Sequence, residues 1–387
     1  MTVKIHLENV ASSNKPPFPV PTPPSELFPT QFDLPNGRPV WVSLPQPDRL
    51  TIIGEVGNHT YGSTVPQGTD EASFLFEFGY YMLGEPHNAH HVSSWFPKAS
   101  MFREVNMAMG PRGSIVRFEP FKPKANSKQC WGLRIECNPR KLGPDGFEQL
   151  AKVLSDHHSG PFNLQAFLAS ARVTRLDTAV DLVGVEVWEV LASHAKQGKR
   201  SYYVGDDGAL ETILVHRKLT KPVQKFDAAG FLKKVAHKSS PAGKVVLKIY
   251  DKVRERAAVL QPPPYGPAPV TRIELVLSKL ANGTKLSKLL TLADPFKLAR
   301  VAIAADQSAS LQAAWSEYVV ARRVTQPNLA AGLMGLSPSR AKQFALAYDS
   351  PEKLVVQPVA TWAGWKDALG YTGLAKFCEI AAVVSKP

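Results

Sequence analysis

The stretch Val173-Thr-Arg-Leu-Asp-Thr-Ala-Val-Asp-Leu182 alternates charged and apolar residues with a period of two. Side chains leave a β-strand on alternate sides, so Arg175, Asp177 and Asp181 share one face while Leu176, Val180 and Leu182 share the other. Two further stretches read the same way. Lys244-Val-Val-Leu-Lys-Ile-Tyr-Asp-Lys252 sets Lys248, Tyr250 and Lys252 against Leu247 and Ile249, and Val270-Thr-Arg-Ile-Glu-Leu-Val-Leu277 sets Arg272 and Glu274 against Ile273, Leu275 and Leu277. If the three pair in one sheet whose apolar face packs on helices, the chain is α+β with a mainly antiparallel sheet. The other face then gathers Asp177, Asp181, Glu274, four cations (Arg175, Lys248, Lys252, Arg272) and Tyr250.

Working outward, Gly113–Phe118 and Gly132–Cys137 read as strands, a helix is expected from near Asp145 to Ser155, and another over 186–197. Arg134-Ile-Glu-Cys-Asn-Pro-Arg-Lys-Leu142 and Arg272-Ile-Glu-Leu-Val-Leu-Ser-Lys-Leu280 share the frame Arg-Ile-Glu, four residues, Lys-Leu. That echo suggests a core of two related sheet-and-helix halves. The expected organisation is a strand and Pro-rich tether over 1–30, a first α+β half over 31–170, a second over 171–290, and a helical region over 291–387. Asp294-Pro295, Ser337-Pro338 and Ser350-Pro351 each place a capping oxygen before a proline at a first helical position. Leu329 to Tyr348 outlines two short helices about Gly335-Leu-Ser-Pro338.

The bulk numbers narrow the class of function. With 44% apolar and 9% aromatic residues, the 387-residue chain is not a disordered one. Its net charge of +13 is unevenly spread: basic and acidic groups number 15 and 15 over 1–170, 21 and 11 over 171–290, and 10 and 7 over 291–387. The excess therefore sits with the three strands, as expected of a protein that meets a polyanion such as nucleic acid. No apolar run of about 18 residues and no signal peptide is visible, so no membrane association and a cytoplasmic location are expected. Cys130, Cys137 and Cys378 form no Cys-x-x-Cys pair and read as free thiols.

The chemistry follows from the residue types. Asp177, Asp181 and Glu274 are hard oxygen ligands suited to Mg²⁺ or Mn²⁺, which would polarise a phosphate under in-line attack. Their structural alternative is ion pairing with Arg175 and Arg272. Tyr250 is the expected nucleophile, with Lys248 and Lys252 favouring its phenolate; its structural alternative is a half-buried strand tyrosine. Tyr202 or Tyr203 could replace it or stack on unpaired bases, with Lys199, Arg200, Arg217 and Lys218 as phosphate contacts. His87-Asn-Ala-His-His91 lacks two histidines separated by one apolar residue and is left out of the site.

Arg175-Leu-Asp-Thr-Ala-Val-Asp181, Leu247-Lys-Ile-Tyr-Asp-Lys252 and Arg272-Ile-Glu274, in that order, resemble the replication initiation factor family. These are the Rep-trans type rolling-circle initiators of plasmids and filamentous phages, related to conjugative-element relaxases. Arg134-Ile-Glu-Cys-Asn-Pro139 is also similar to the first half of the phage proteins, and the resemblance covers roughly 110–280. It implies a tyrosine nucleophile at Tyr250, metal ligands at Asp177, Asp181 and Glu274, nicking of a single-stranded or hairpin origin, a host helicase partner, and allows a homodimer. The Lys-rich stretch from Lys218 to Lys244 departs from the family pattern. Three functional readings follow: an origin-nicking and rejoining enzyme, a non-catalytic single-stranded DNA binder or phage regulator of the same fold, and a phosphodiesterase without a covalent step.

Overall fold

The computed structural model describes residues 24–34, 37–55, 91–95, 104–121, 132–155, 164–194, 202–204, 210–216, 223–226, 232–236, 245–278, 280, 284–303, 318, 332, 334–349, 354–356 and 362–384. The fold is α+β, built on one antiparallel sheet. Ten of its strands run, in chain order, β1 (Gln46–Glu55), β2 (His91–Trp95), β3 (Glu104–Met109), β4 (Ser114–Phe121), β5 (Gly132–Cys137), β6 (Arg172–Val183), β7 (Tyr202–Val204), β8 (Leu210–His216), β9 (Val245–Asp251) and β10 (Val270–Leu277). In space they lie in the order β7-β8-β9-β10-β6-β1-β5-β4-β3-β2. Three short strands, Thr30–Asp33, Pro39–Val42 and Thr284–Lys285, attach to this run.

That order is one five-stranded pattern written twice. From the centre outward the first half reads β1-β5-β4-β3-β2 and the second β6-β10-β9-β8-β7, and the halves meet where β1 pairs antiparallel with β6. The register repeats as well. Glu136 pairs with Arg117 and Thr51, as Glu274 pairs with Lys248 and Ala179; Arg134 pairs with Glu119 and Ile53, as Arg272 pairs with Tyr250 and Asp181. The Arg-Ile-Glu echo therefore marks equivalent places in two related halves.

Period-two alternation separates the faces. Leu50, Ile52, Val116, Phe118, Leu133, Ile135, Leu176, Val180, Leu247, Ile249, Ile273 and Leu275 are buried in one core. Helices α1 (Pro139–Ser155) and α2 (Leu164–Ser170) add Leu142, Phe147, Leu150, Leu154 and Phe167. Helix α1 starts earlier than expected. Gly143 adopts φ 67°, a left-handed value that only glycine takes readily, and Pro144 restarts the helix beyond the kink. Each fully buried leucine or isoleucine contributes about 2 kcal/mol, so the apolar face is the main stabilising surface.

The second half continues with helix α3 (Lys252–Ala258), which Asp251 caps by accepting from the Arg254 amide. Toward the C-terminus, α4 (Pro338–Asp349), α5 (Trp365–Tyr371) and α6 (Leu374–Val384) follow. Trp365, Leu369, Leu374 and Phe377 join the main core rather than forming a separate one. Trp362 and Trp365 stack at 4.5 Å, and their indole N–H groups donate to the carbonyls of Leu292 and Leu289. Buried indoles need such partners.

Two expectations fail locally. The described part of the helix expected over 186–197 is not helical: a 3-10 turn over Val187–Glu189 leads into a strand, Val190–His194. The region after Asp294 is not wholly helical either, because Ala299–Ile303 and Leu354–Val356 are strands that form a three-stranded sheet with Val190–His194. Ala299, Val301 and Ile303 are buried at every second position, a strand signature that the Asp294-Pro295 start signal obscured. Helix α4 lies where the Ser337-Pro338 signal placed it, while most of the other helix of that outline, Ser350-Pro351 and the tether through residue 23 lie outside the described residues.

Candidate functional site

The face of the sheet opposite the core is lined with charge across both halves. A cleft of about 510 Å³ opens on it, lined by Asp48 and Arg49 of β1, Asn106 of β3, Ile115 and Arg117 of β4, Glu136 and Cys137 of β5, Asn138 of the loop that follows, Arg175 and Asp177 of β6, Lys248 and Tyr250 of β9, Glu274 of β10, and Glu255 of α3. Strand pairing explains the convergence. Lys248 lies opposite Glu274, and Arg49 lies opposite Asp177, so residues distant in the chain become neighbours one strand apart.

Within the cleft, Glu274 accepts from Tyr250 Oη at 2.9 Å through Oε2 and from Lys248 Nζ at 3.2 Å through Oε1. Arg175 grips Asp177 with two parallel bonds, Nε to Oδ1 at 2.9 Å and Nη2 to Oδ2 at 2.6 Å. Burial raises the Asp177 carboxyl above its usual range; Arg175 works against this, and the nearby charge of Glu274 adds to it. Burial likewise pushes the Tyr250 phenol well above 10, and Glu274 pushes it further. Lys252, whose ammonium lies 5.6 Å from the centre of the Tyr250 ring, is itself lowered by burial and by Arg272.

Beside the cleft lies a tighter network. Arg272 is wholly buried and forks onto Asp181, Nε to Oδ1 at 2.6 Å and Nη2 to Oδ2 at 2.8 Å, while Nη1 reaches Asp48 at 3.1 Å. Asn138 completes Asp48, and Tyr265 and Arg140 complete Asp181. Burial works to raise Asp181, but Arg272, Arg140 and Lys252 outweigh it and hold the carboxyl at about 2. Such a pair is satisfied on all sides, which is what a buried ion pair requires.

The expected trio of ligands therefore divides. Asp177 and Glu274 face the cleft together with Tyr250, Lys248 and Arg175, whereas Asp181 is consumed by Arg272 in the neighbouring network. Among the described residues no group of three His, Cys, Asp or Glu side chains lies at metal-holding distances. Asp177 and Glu274 remain together on the cleft, Asp177 held by Arg175 and Glu274 by Tyr250 and Lys248. Mg²⁺ and Mn²⁺ commonly take one or two protein carboxylates, with water and substrate phosphate supplying the rest, so the residues present fit such an ion.

Tyr202 and Tyr203 lie on β7, at the end of the ten-strand run. Tyr203 pairs with Glu211, which stands one position beyond the Thr212–Ile249 pair. Strand β7 is separated from β9 by β8 alone. Lys199, Arg200, Arg217 and Lys218 lie outside the described residues. Sequence reasoning missed Asp48, Arg49, Arg117, Glu136, Asn138, Arg140 and Tyr265. The Arg-Ile-Glu echo would have found Glu136, the counterpart of Glu274.

No family model matches the chain, and no curated protein matches it. Among the described residues no helix is long and apolar enough to cross a membrane.

Proposed function

We propose that the chain nicks and rejoins origin DNA to start rolling-circle replication. The observation that carries the reading is the Asp177–Glu274 pair, set among Arg175, Lys248, Arg49 and Arg117 on the floor of the cleft. Mixed charge of this kind suits phosphoryl transfer, where cations bind the phosphate and acids hold a metal. Asp177 and Glu274 are the residues that would hold Mg²⁺ or Mn²⁺, which when bound polarises the scissile phosphate. The resemblance of the three strand motifs to the replication initiation factor family supports the same reading. It alone supplies the single-stranded or hairpin origin and the host helicase.

The tyrosines take different parts in this proposal. Tyr250 is buried, donates to Glu274 and titrates far above neutrality, so it acts as a positioning residue for that carboxylate. Tyr203, on β7 two strands from β9, is the nucleophile in this reading. Its oxygen attacks phosphorus as the phenol proton leaves, the bond to the 3′ oxygen breaks, and that oxygen takes up a proton. The products are a 5′-phosphotyrosine and a 3′ hydroxyl primer. Rejoining runs the same bonds in reverse.

The test is a denaturant-resistant adduct between the protein and a labelled strand carrying its origin, formed with Mn²⁺. Tyr203→Phe abolishes it and Tyr250→Phe weakens it; loss with Tyr250→Phe alone returns the nucleophile to Tyr250. A second reading, a non-catalytic single-stranded DNA binder, is favoured by the buried and protonated state of Tyr250. It predicts a salt-sensitive shift without any adduct, and hydrolysis alone predicts cuts without an adduct.

A further inference from the structure

The duplicated halves are not chemically equal. At places equivalent by register, Asp177, Asp181 and Tyr250 of the second half are Arg49, Ile53 and Glu119 in the first. Arg134 and Glu136 are retained as counterparts of Arg272 and Glu274. The side chains of the second half are sunk in the protein, Asp177, Glu274 and Arg272 being 4%, 7% and 1% exposed. Arg49, Arg117 and Arg134 are 42%, 38% and 43% exposed. These three guanidiniums meet two carboxylates, since Arg49 pairs with Glu136, Arg117 with Glu119, and Arg134 with both. The first half thus presents a net positive and accessible row, without counterparts of Asp177, Asp181 or Tyr250.

We infer that the first half is a non-catalytic phosphate-gripping half, which holds the same strand of nucleic acid at a distance from the reactive half. The cleft is continuous from Lys248 of β9 to Arg117 of β4, five strand spacings or about 24 Å, a length that spans several nucleotides of extended single strand. Arginine suits the task because its fork binds phosphate oxygens and its plane stacks on bases. The inference rests on reading the charged face as a nucleic-acid surface, but not on the cutting step.

Fluorescence anisotropy with oligothymidylates of about 8 and about 20 nucleotides tests it, since short probes reach one half and long ones both. The wild type binds the long probe at least about tenfold tighter than the short one, and Arg117→Gln/Arg134→Gln brings the two within about twofold. The salt dependence of long-probe binding falls by about 1.4 in log–log slope for two lost phosphate contacts. Gln keeps donors for Glu119 and Glu136, and Arg117→Lys/Arg134→Lys restores most of the long-probe affinity by keeping charge. A Gln variant that melts like the wild type and keeps the length dependence overturns the inference, as does a wild type that binds both probes alike. Adduct formation is scored separately: its absence in the wild type defeats the nicking reading and leaves this result standing.

Discussion

The Tyr250 hydroxyl donates to the Glu274 carboxylate at 2.9 Å, from a position across two paired strands, and Lys248 holds the other oxygen of the same carboxylate. A buried phenol in that setting is an anchor before it is a reagent. Tyr250→Phe removes one buried hydrogen bond and leaves Glu274 short of a donor, which should cost about 1–3 kcal/mol of stability in urea unfolding. An unchanged midpoint would show that the bond is not formed in solution.

Arg272 is completed by Asp181 and Asp48, and its own guanidinium is held protonated far above its ordinary range despite burial. Arg272→Met leaves two acids facing a buried void of charge, and about 3–5 kcal/mol of stability should be lost. Asp181→Asn combined with Arg272→Met should recover part of that loss. A double variant no more stable than the single one would contradict the pairing.

Acid should unfold the protein partly through Asp181. Its carboxyl sits at about 2 in the folded chain against 3.8 in the reference state, so its contribution is complete above about pH 4 and disappears as the pH falls toward 2. The difference is about 2 kcal/mol. Asp181→Asn should flatten the stability profile over that window, and a profile as steep as the wild type's would speak against the assignment.

Glu186 behaves in the opposite sense. Burial, with Asp251 and Glu189 close by, pushes its carboxyl up to about 7 against 4.5, although Arg38 pulls it down. The folded chain holds that proton more tightly than the unfolded one, so stability is full below about pH 4.5 and falls as the pH rises toward 7. Glu186→Gln should raise stability at pH 8 by about 3 kcal/mol and leave it unchanged at pH 4. Equal effects at both pH values would show that the proton is not involved.

Gly184 turns the chain at the end of β6 with φ 92°, and a Cβ there would meet the Pro39 carbonyl oxygen at 2.5 Å. Backbone contacts cannot yield as a flexible side chain can. Gly184→Ala should therefore lower the melting temperature clearly, by about 2 kcal/mol of stability or more. A wild-type melting curve would show that the turn can rearrange.

Period-two alternation made the three charged strands and the partition of their faces legible before any coordinates, because a strand's side-chain direction is local. Strand order is not local. Nothing between Arg117 and Glu136 in the chain says that their strands are neighbours, so the charged row of the first half stayed hidden behind the Arg-Ile-Glu echo that pointed to it. Asp48 and Arg49 were obscured for a different reason. Proline is disfavoured inside a sheet, yet Gln46-Pro-Asp-Arg49 is strand, and a bulge between Pro47 and Arg49 lets the ladder tolerate it. The trio of acids was legible as a face but not as a cluster, since only packing decides that Arg272 claims Asp181 while Asp177 and Glu274 line the cleft.

The most direct measurement is the position of the covalent link after reaction with origin DNA and Mn²⁺. Trypsin digestion followed by mass spectrometry should find the nucleotide on the peptide spanning 201–217, at Tyr203. A nucleotide on the peptide spanning 249–252, at Tyr250, or a protein that carries no nucleotide although it binds the strand, would contradict the account.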